Sequence, residues 1–392
     1  MMKKLHLAEA RATVINAQGL SNNTQFKNDK AKSLSVIKHL SYVQIDTISV
    51  VERAHHHILW SRNPAYRLSD LDQLTNEKKI FEYWSHAAAY LPIEDYRFSL
   101  PRKKRHADGD AHWFKITPEH LKQKKIILER FKSEGPLQSK DFEKPKNSKP
   151  GWFNYSVSKQ MLTKLFMDGV LMVSKRQGFQ KVYDLTERVL PQNINTDFPT
   201  DAEMARYLIQ SCLRSHAFAT EKEIGFQRQA ELRNLIKGEL KKMIIEGEVI
   251  EIKIAENQNS YFALFNVLDQ KLPKTKSTMV KILSPFDNLV IQRQRLVDIF
   301  NFNYQIECYT PEKSRKYGYF SLPLLYKNNL VGLVDLKAHR SKQTLEVRTM
   351  FGKNEYYQDD DFQEALMKEI KIFAVFNGCE KVIGFKKMRI YK

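Results

Sequence analysis

Two stretches in the middle of the chain share one pattern, and it limits the available folds more than any other feature. The first is LTKLFMDGVLMVSKRQGFQKVYDL (162–185) and the second is LKKMIIEGEVIEIKIAENQNSYFAL (240–264). Each starts with apolar residues at helical spacing and meets an acidic-Gly pair, Asp168-Gly169 or Glu246-Gly247. Glycine can take the left-handed conformation that ends a helix. Each stretch then runs through an alternating strand, a polar turn (SKRQGFQ or AENQNS) and a second short strand. Helix, tight stop and two-stranded wing predict a winged helix, a helix-turn-helix with a hairpin appended.

Upstream of the second copy, TEKEIGFQRQAELRNLIKGEL supplies an earlier helix and turn. Upstream of the first, the loop SEGPLQSKDFEKPKNSKPGWFNYS separates it from a Lys-rich helix around 118–133. The N-terminal part repeats the theme with more divergence: HLAEARATVINAQGL and KSLSVIKHLS read as helices, YVQID as a short strand, VVERAHHHILWSR as a helix. From about residue 275 the texture changes to short alternating runs, among them TMVKILSPFDNLVI, NYQIECYTP, KYGYFSLPLLY and QTLEVRTMF. Such spacing predicts an antiparallel β-rich unit, a small barrel or a strongly coiled sheet. The helix DDFQEALMKEIKIFAVFNG and a basic strand, KVIGFKKMRIYK, would close it. The expected fold is therefore α+β: tandem winged-helix units followed by a C-terminal β-rich, barrel-like module. The expected divisions are 1–115, 116–195, 196–270 and 271–392.

Charge narrows the partner. Sixty-four Lys and Arg against 45 Asp and Glu leave a formal charge of +19. A surplus of that size favours a polyanion, because each neutralised phosphate releases condensed counterions. Composition alone does not separate nucleic acid from an anionic membrane. The absence of a long basic amphipathic helix with exposed Trp or Phe argues against the membrane. The first twenty residues carry no continuous apolar run and nothing resembles a membrane span, so a cytoplasmic, nucleoid-associated protein is expected. Cys212, Cys308 and Cys379 lie far apart with no CxxC pair, which argues against a zinc site or a disulfide framework.

The segment YVQIDTISVVERAHHHILWSR (42–62) carries the chemical interest. At strand spacing Gln44 and Asp46 point out of one face, a carboxamide beside a carboxylate within an apolar stretch. Polar residues near strand ends usually bind neighbouring backbone. Here Arg53, His55, His56, His57 and Arg62 follow closely, a cationic and hydrogen-bonding setting that would keep the carboxylate ionised. Consecutive helical positions point about 100° apart, so the three histidines cannot converge on one ion, and no metal is expected. The chain has no GxGxxG, P-loop or GxSxG, so nothing supports dinucleotide, NTP or serine-hydrolase chemistry, and no cofactor is expected. In FEYWSHAAAYLPIEDYRFSLPRKKRH (81–106), Trp84 and His86 are candidates to stack on or hydrogen-bond a base, or equally to be core. The run Arg102-Lys103-Lys104-Arg105-His106 reads as a phosphate-touching patch.

These motifs, together with LPQNINTDFPTDAE, ILSPFDNLVIQRQRL and YGYFSLPLLYKNNLVGLVDLKAHR, resemble the bacterial crosslink-repair DNA glycosylases of the YcaQ (AlkX) type. That group belongs to the helix-turn-helix superfamily that includes AlkZ. The resemblance runs over nearly the whole chain; only the central TPEHLKQKKIILERFKSEG and the following Lys-rich loop match loosely. It implies three tandem winged-helix units scaffolding a β-barrel-like module, with a basic channel for duplex DNA. It also implies excision of N7-alkylguanine and unhooking of interstrand crosslinks. The family's catalytic Gln-x-Asp falls on Gln44 and Asp46. AlkZ carries Gln at the second place, so Asp46 puts this chain with the YcaQ branch.

On that resemblance Asp46 stabilises the oxocarbenium-like sugar and activates water, while Gln44 positions the water. One carboxylate suffices because a cationic N7-alkylguanine is already a good leaving group, unlike the sugars of two-carboxylate glycosidases. No lysine is evident at the site for a Schiff base, so a monofunctional enzyme leaving an abasic site is expected. A crosslinked base resists full extrusion, which favours an open cleft and a probing hairpin over a deep pocket. Arg340 and Lys342, in the turn AHRSK, are the candidate probe, and Arg293 and Arg295 are further phosphate-contact candidates. The expected partner is double-stranded DNA with alkylated or crosslinked purines, bound by a monomer. The alternative is a winged-helix regulator or architectural DNA binder without catalysis.

Overall fold

The computed structural model describes residues 3–21, 30–109, 115–142, 157–267, 279–384 and 389–390. Residues 143–156 of the loop expected at 133–156, and the middle and end of the basic strand expected at the C-terminus, lie outside them. The chain forms two compact units: Met1–Arg67 with Ala205–Lys392, and Leu68–Met204. Compactness thus cuts the expected segment 1–115 at Arg67.

The smaller unit holds the first repeat. The helix Val157–Met167 ends as Gly169 turns to φ +80°, with Val170 N–H closing on the Leu165 carbonyl at 2.9 Å. The strands Leu171–Gln177 and Gln180–Leu185 follow as an antiparallel hairpin, and the short strand Leu137–Gln138 adds to its edge. Phe131, Met161, Leu165, Phe166 and Val173 are buried around them. Ahead of this lies a second hairpin, Ile80–Trp84 with Ala88–Pro92, whose buried Glu82 takes both arms of Arg176 from the first.

The larger unit holds the second repeat in the same form. The helix Ala230–Ile245 stops at Gly247, φ +77°, and the hairpin Val249–Ile254 with Ser260–Leu264 follows. The strand Phe218–Ala219 pairs with its second strand. Unlike the first repeat, this sheet gains a fourth strand, Lys3–Leu5, in parallel register with Val249–Ile254. Leu5, Val14 and Ile15 thereby join Phe218, Tyr261, Leu289 and Ile299 in one core.

The C-terminal part is a curled half-barrel. Val280–Ile282, Ser321–Tyr326, Asn329–His339 and Thr344–Gly352 pair antiparallel in order, with bulges at Leu324/Leu325 and Asp335/Leu336. A bulge sharpens the local twist, which bends such a sheet. The helix Asp360–Phe376, capped by Asp359 on the Phe362 N–H, packs Phe373 and Phe376 against His57 and Trp60.

One expected strand is absent. NYQIECYTP is a loop, because Glu307 turns inward and its carboxylate accepts the N–H groups of Lys316, Tyr317 and Gly318 at 2.8, 2.7 and 3.2 Å. A side chain here supplies the acceptors that a neighbouring strand would otherwise provide.

Candidate active site

The strand carrying the Gln-x-Asp motif is short, Val43–Gln44, and Asp46 lies beyond its end. Strand alternation therefore does not orient the two side chains as expected. Gln44 is buried and Asp46 half-buried. The Asp46 carboxylate accepts the Ile48 N–H at 2.8 Å, an Asx turn that fixes its rotation. Partial burial raises its pKa above the ordinary 3.8, and the backbone N–H groups of Ile48 and Thr47 oppose that rise. Raising a carboxyl group in this way makes it a better proton acceptor when ionised.

The backbone around Asp46 is anchored from both sides. Just before the motif, the Tyr42 carbonyl accepts from Asn288 Nδ2 at 3.2 Å. Just after it, Val50 accepts from the Ala338 N–H at 2.9 Å, and Glu52 N–H donates to Asn377 Oδ1 at 2.6 Å. Asn288 belongs to SPFDNL, a motif that is interior: Ser284, Asp287 and Asn288 are all buried. Asp287 is clasped by Arg62 at 2.7 and 2.9 Å, with neither side chain exposed, and Arg62 also binds the Gln18 side chain at 3.0 Å.

Several expected DNA contacts need correction. Arg62 is spent on this buried pair. Arg295 is also interior, 1 % exposed, bound to Glu223 at 2.9 Å and to the His216 carbonyl. Arg293 donates to the Val290 and Pro285 carbonyls and covers the Tyr304 ring, so its donors serve the fold. His55 is buried too. For the three arginines a guanidinium beside a carboxylate or carbonyl fills an interior polar need, which sequence position does not reveal. Arg53, at the start of the helix Ala54–Arg62, and His56 remain half-buried, and His56 Nδ1 meets the Tyr66 hydroxyl at 2.6 Å.

The His55 and His56 rings lie 4.3 Å apart, tilted by 46°. His57 is bound to the Ile282 carbonyl at 2.8 Å, and burial lowers its pKa to about 4. Among the described residues no cluster of three or more His, Cys, Asp or Glu could hold a metal ion. None of their helices is long and apolar enough to cross a membrane.

Arg340, in the turn between Asn329–His339 and Thr344–Gly352, reaches the Ser49 carbonyl at 3.1 Å and Glu52 at 3.4 Å. It braces the segment after Asp46 while staying partly exposed, and Lys342 beside it is exposed. In the smaller unit, Trp84 is 37 % exposed with the Arg102 guanidinium 5.3 Å from its ring, and His86 sits half-buried at the hairpin turn. The basic run is divided: Lys104 is exposed, whereas Lys103 is buried with its ammonium 3.6 Å from the Tyr96 ring. Desolvation lowers the Lys103 pKa to about 7.

The loop missed by sequence reasoning is 307–319. Asp46 acts electrostatically on both Cys308 and Tyr309, and Tyr309 is 79 % exposed. Arg315 donates to the Thr310 carbonyl at 2.9 Å and lies over the Tyr319 ring at 4.9 Å. The signal was the interleaving of aromatic and basic residues in ECYTPEKSRKYGY, hidden by reading both of its ends as strands.

Comparison with known proteins supplies the class, DNA glycosylase: the family described as "DNA glycosylase AlkZ-like" matches residues 37–376. The chain belongs to the AlkZ-like DNA glycosylase family. Among solved structures it is similar to the Streptomyces sahachiroi DNA glycosylase AlkZ, at 16 % identity and a TM-score of 0.62, over 99 % of this chain and all of that one. At that identity the likeness establishes the fold. Family membership selects the enzyme over the non-catalytic regulator, with DNA as substrate.

Proposed function

We propose that the protein is a monofunctional glycosylase that releases N7-alkylguanine and unhooks interstrand crosslinks, with Asp46 and Gln44 as its catalytic pair. The observation that carries this reading is the half-buried Asp46 carboxylate, rotationally held by Ile48 and more basic than an exposed aspartate. The C1′–N9 bond breaks with its electron pair passing to the cationic base, which leaves neutral. Asp46 faces the positive charge that develops on the sugar and takes a proton from the water that attacks C1′. Gln44 orients that water. The product is an abasic site, and the proton returns to solvent.

The repeats within 116–195 and 196–270 act as DNA-binding winged helices, with 1–115 carrying the catalytic pair and 271–392 the probing hairpin, and the enzyme works as a monomer. Trp84, Arg102, Arg340 and Lys342 are its surface contacts to DNA. The absence of lysine from residues 42–62 fits hydrolysis without strand cleavage.

The test is alkali cleavage of a duplex carrying 7-methylguanine, and of a crosslinked duplex, after incubation with enzyme. Wild type generates abasic sites and Asp46→Asn binds with little turnover. Equal inertness of both proteins on both substrates ends the proposal.

A further inference from the structure

The loop 307–319 is built with care for a segment outside regular structure. Glu307 gathers three backbone N–H groups, and Arg315 ties back to Thr310. Gly318, at φ +115°, lies so close to Asp335 that a Cβ there would sit 2.2 Å from its Oδ2. Asp335 in turn accepts from the backbone of Tyr319 and Phe320. Ala338, three residues further along the same strand, donates to the Val50 carbonyl. Three strand residues span about 10 Å, so one rigid strand holds both the loop and the segment that follows Asp46.

What the loop presents is an aromatic ring. Tyr309 is 79 % exposed, whereas Phe302 and Tyr304 just before it are 2 % exposed. An aromatic ring left in solvent on a braced loop is a face available for stacking. We propose that Tyr309 is a specificity residue whose ring stacks on the cationic purine at the rim of the site, so that a positively charged base is held more tightly than a neutral one.

A ring prefers a cation at its face because of its quadrupole, and base stacking on aromatic side chains is effective without a deep pocket. A rim position also suits a base tied to the opposite strand, which cannot travel far from the helix. Partial desolvation, Cys308 and the Asp46 charge all hold the Tyr309 hydroxyl in its neutral form, so the face meets the cation without an opposing phenolate.

This inference rests on the proposed chemistry, and its test separates the two. The probe is a duplex with 7-methyl-2′-fluoro-2′-deoxyguanosine, whose fluorine slows cleavage, compared in binding with the same duplex carrying guanine. Wild type and Tyr309→Phe prefer the methylated duplex; Tyr309→Leu and Tyr309→Ala lose about 5- to 100-fold of that preference, with unchanged melting temperatures. The proposal is overturned by an undiminished preference in Tyr309→Ala, by its loss in Tyr309→Phe, or by wild type binding both duplexes alike. Turnover of ordinary 7-methylguanine duplex by wild type, measured in parallel, reports on the catalytic reading alone.

Discussion

Two aspartates of the larger unit show opposite uses of a carboxylate. Asp287 is sealed from solvent and gripped by the two arms of Arg62, and it also accepts the Leu289 N–H at 2.9 Å. Asp46 is half-buried, and the hydrogen bonds named for it come from backbone N–H groups. Burial with a guanidinium makes an anion structural, because its charge is answered on the spot. Burial against backbone donors leaves a charge that is held in place and still answerable by something else. The proposed chemistry supplies that answer as the sugar cation of the transition state.

The comparison breaks most sharply at Asp46. Asp46→Asn should lower turnover of 7-methylguanine duplex by about 10³-fold, within the usual range for a general base, while duplex affinity changes by less than about 3-fold because no phosphate contact is lost. An Asn variant that keeps a tenth of the activity would place the carboxylate outside the chemistry. At Asp287 the effect falls on folding instead. Arg62→Met leaves a buried, unanswered carboxylate and should destabilise the protein by about 3–5 kcal/mol, seen as an earlier urea midpoint. Adding Asp287→Leu should recover most of that loss, since a well-packed apolar pair replaces a buried ion pair at little net cost. No recovery would mean that the pair itself is what specifies the junction.

The pH profile sharpens the distinction. Asp46 works ionised, and burial raises its pKa, so the acid limb of kcat/KM should lie above the ordinary aspartate value of 3.8. A limb at or below that value would contradict the assignment. The smallest effect is on stability. A raised pKa means that the folded chain holds this proton more tightly than the unfolded chain does. The group therefore adds stability below the unfolded value and removes it as pH rises through the folded one. At neutral pH Asp46→Asn should raise the melting temperature by about 1–2 °C, opposite in sign to the Arg62 variant. A fall would show that the charge is stabilised in the resting enzyme.

Local pattern made much of this legible. Both helix stops fall at Gly169 and Gly247, and both hairpins follow where alternation begins. These features depend on φ preferences and on the faces of short elements, which a few adjacent residues decide. Gln44 and Asp46 were legible as a motif, but not their environment. Arg62, Arg293 and Arg295 read as surface cations because a basic residue in a basic chain usually is one. Their true places depend on Asp287, on the Val290 and Pro285 carbonyls, and on Glu223. Glu307 likewise looked like one letter of a strand until its three N–H partners, nine to eleven residues on, were in view.

The sequence by itself determined the α+β class, the basic character, the paired helix–hairpin repeats and the choice of aspartate at position 46. Tertiary structure alone decided which charges face water, because exposure is set by residues hundreds of positions apart: Arg62 meets Asp287, and Val50 meets Ala338. It also put Tyr309 within electrostatic reach of Asp46. The free energy of a charge depends on everything within a few ångströms of it, and only the folded chain determines what that is.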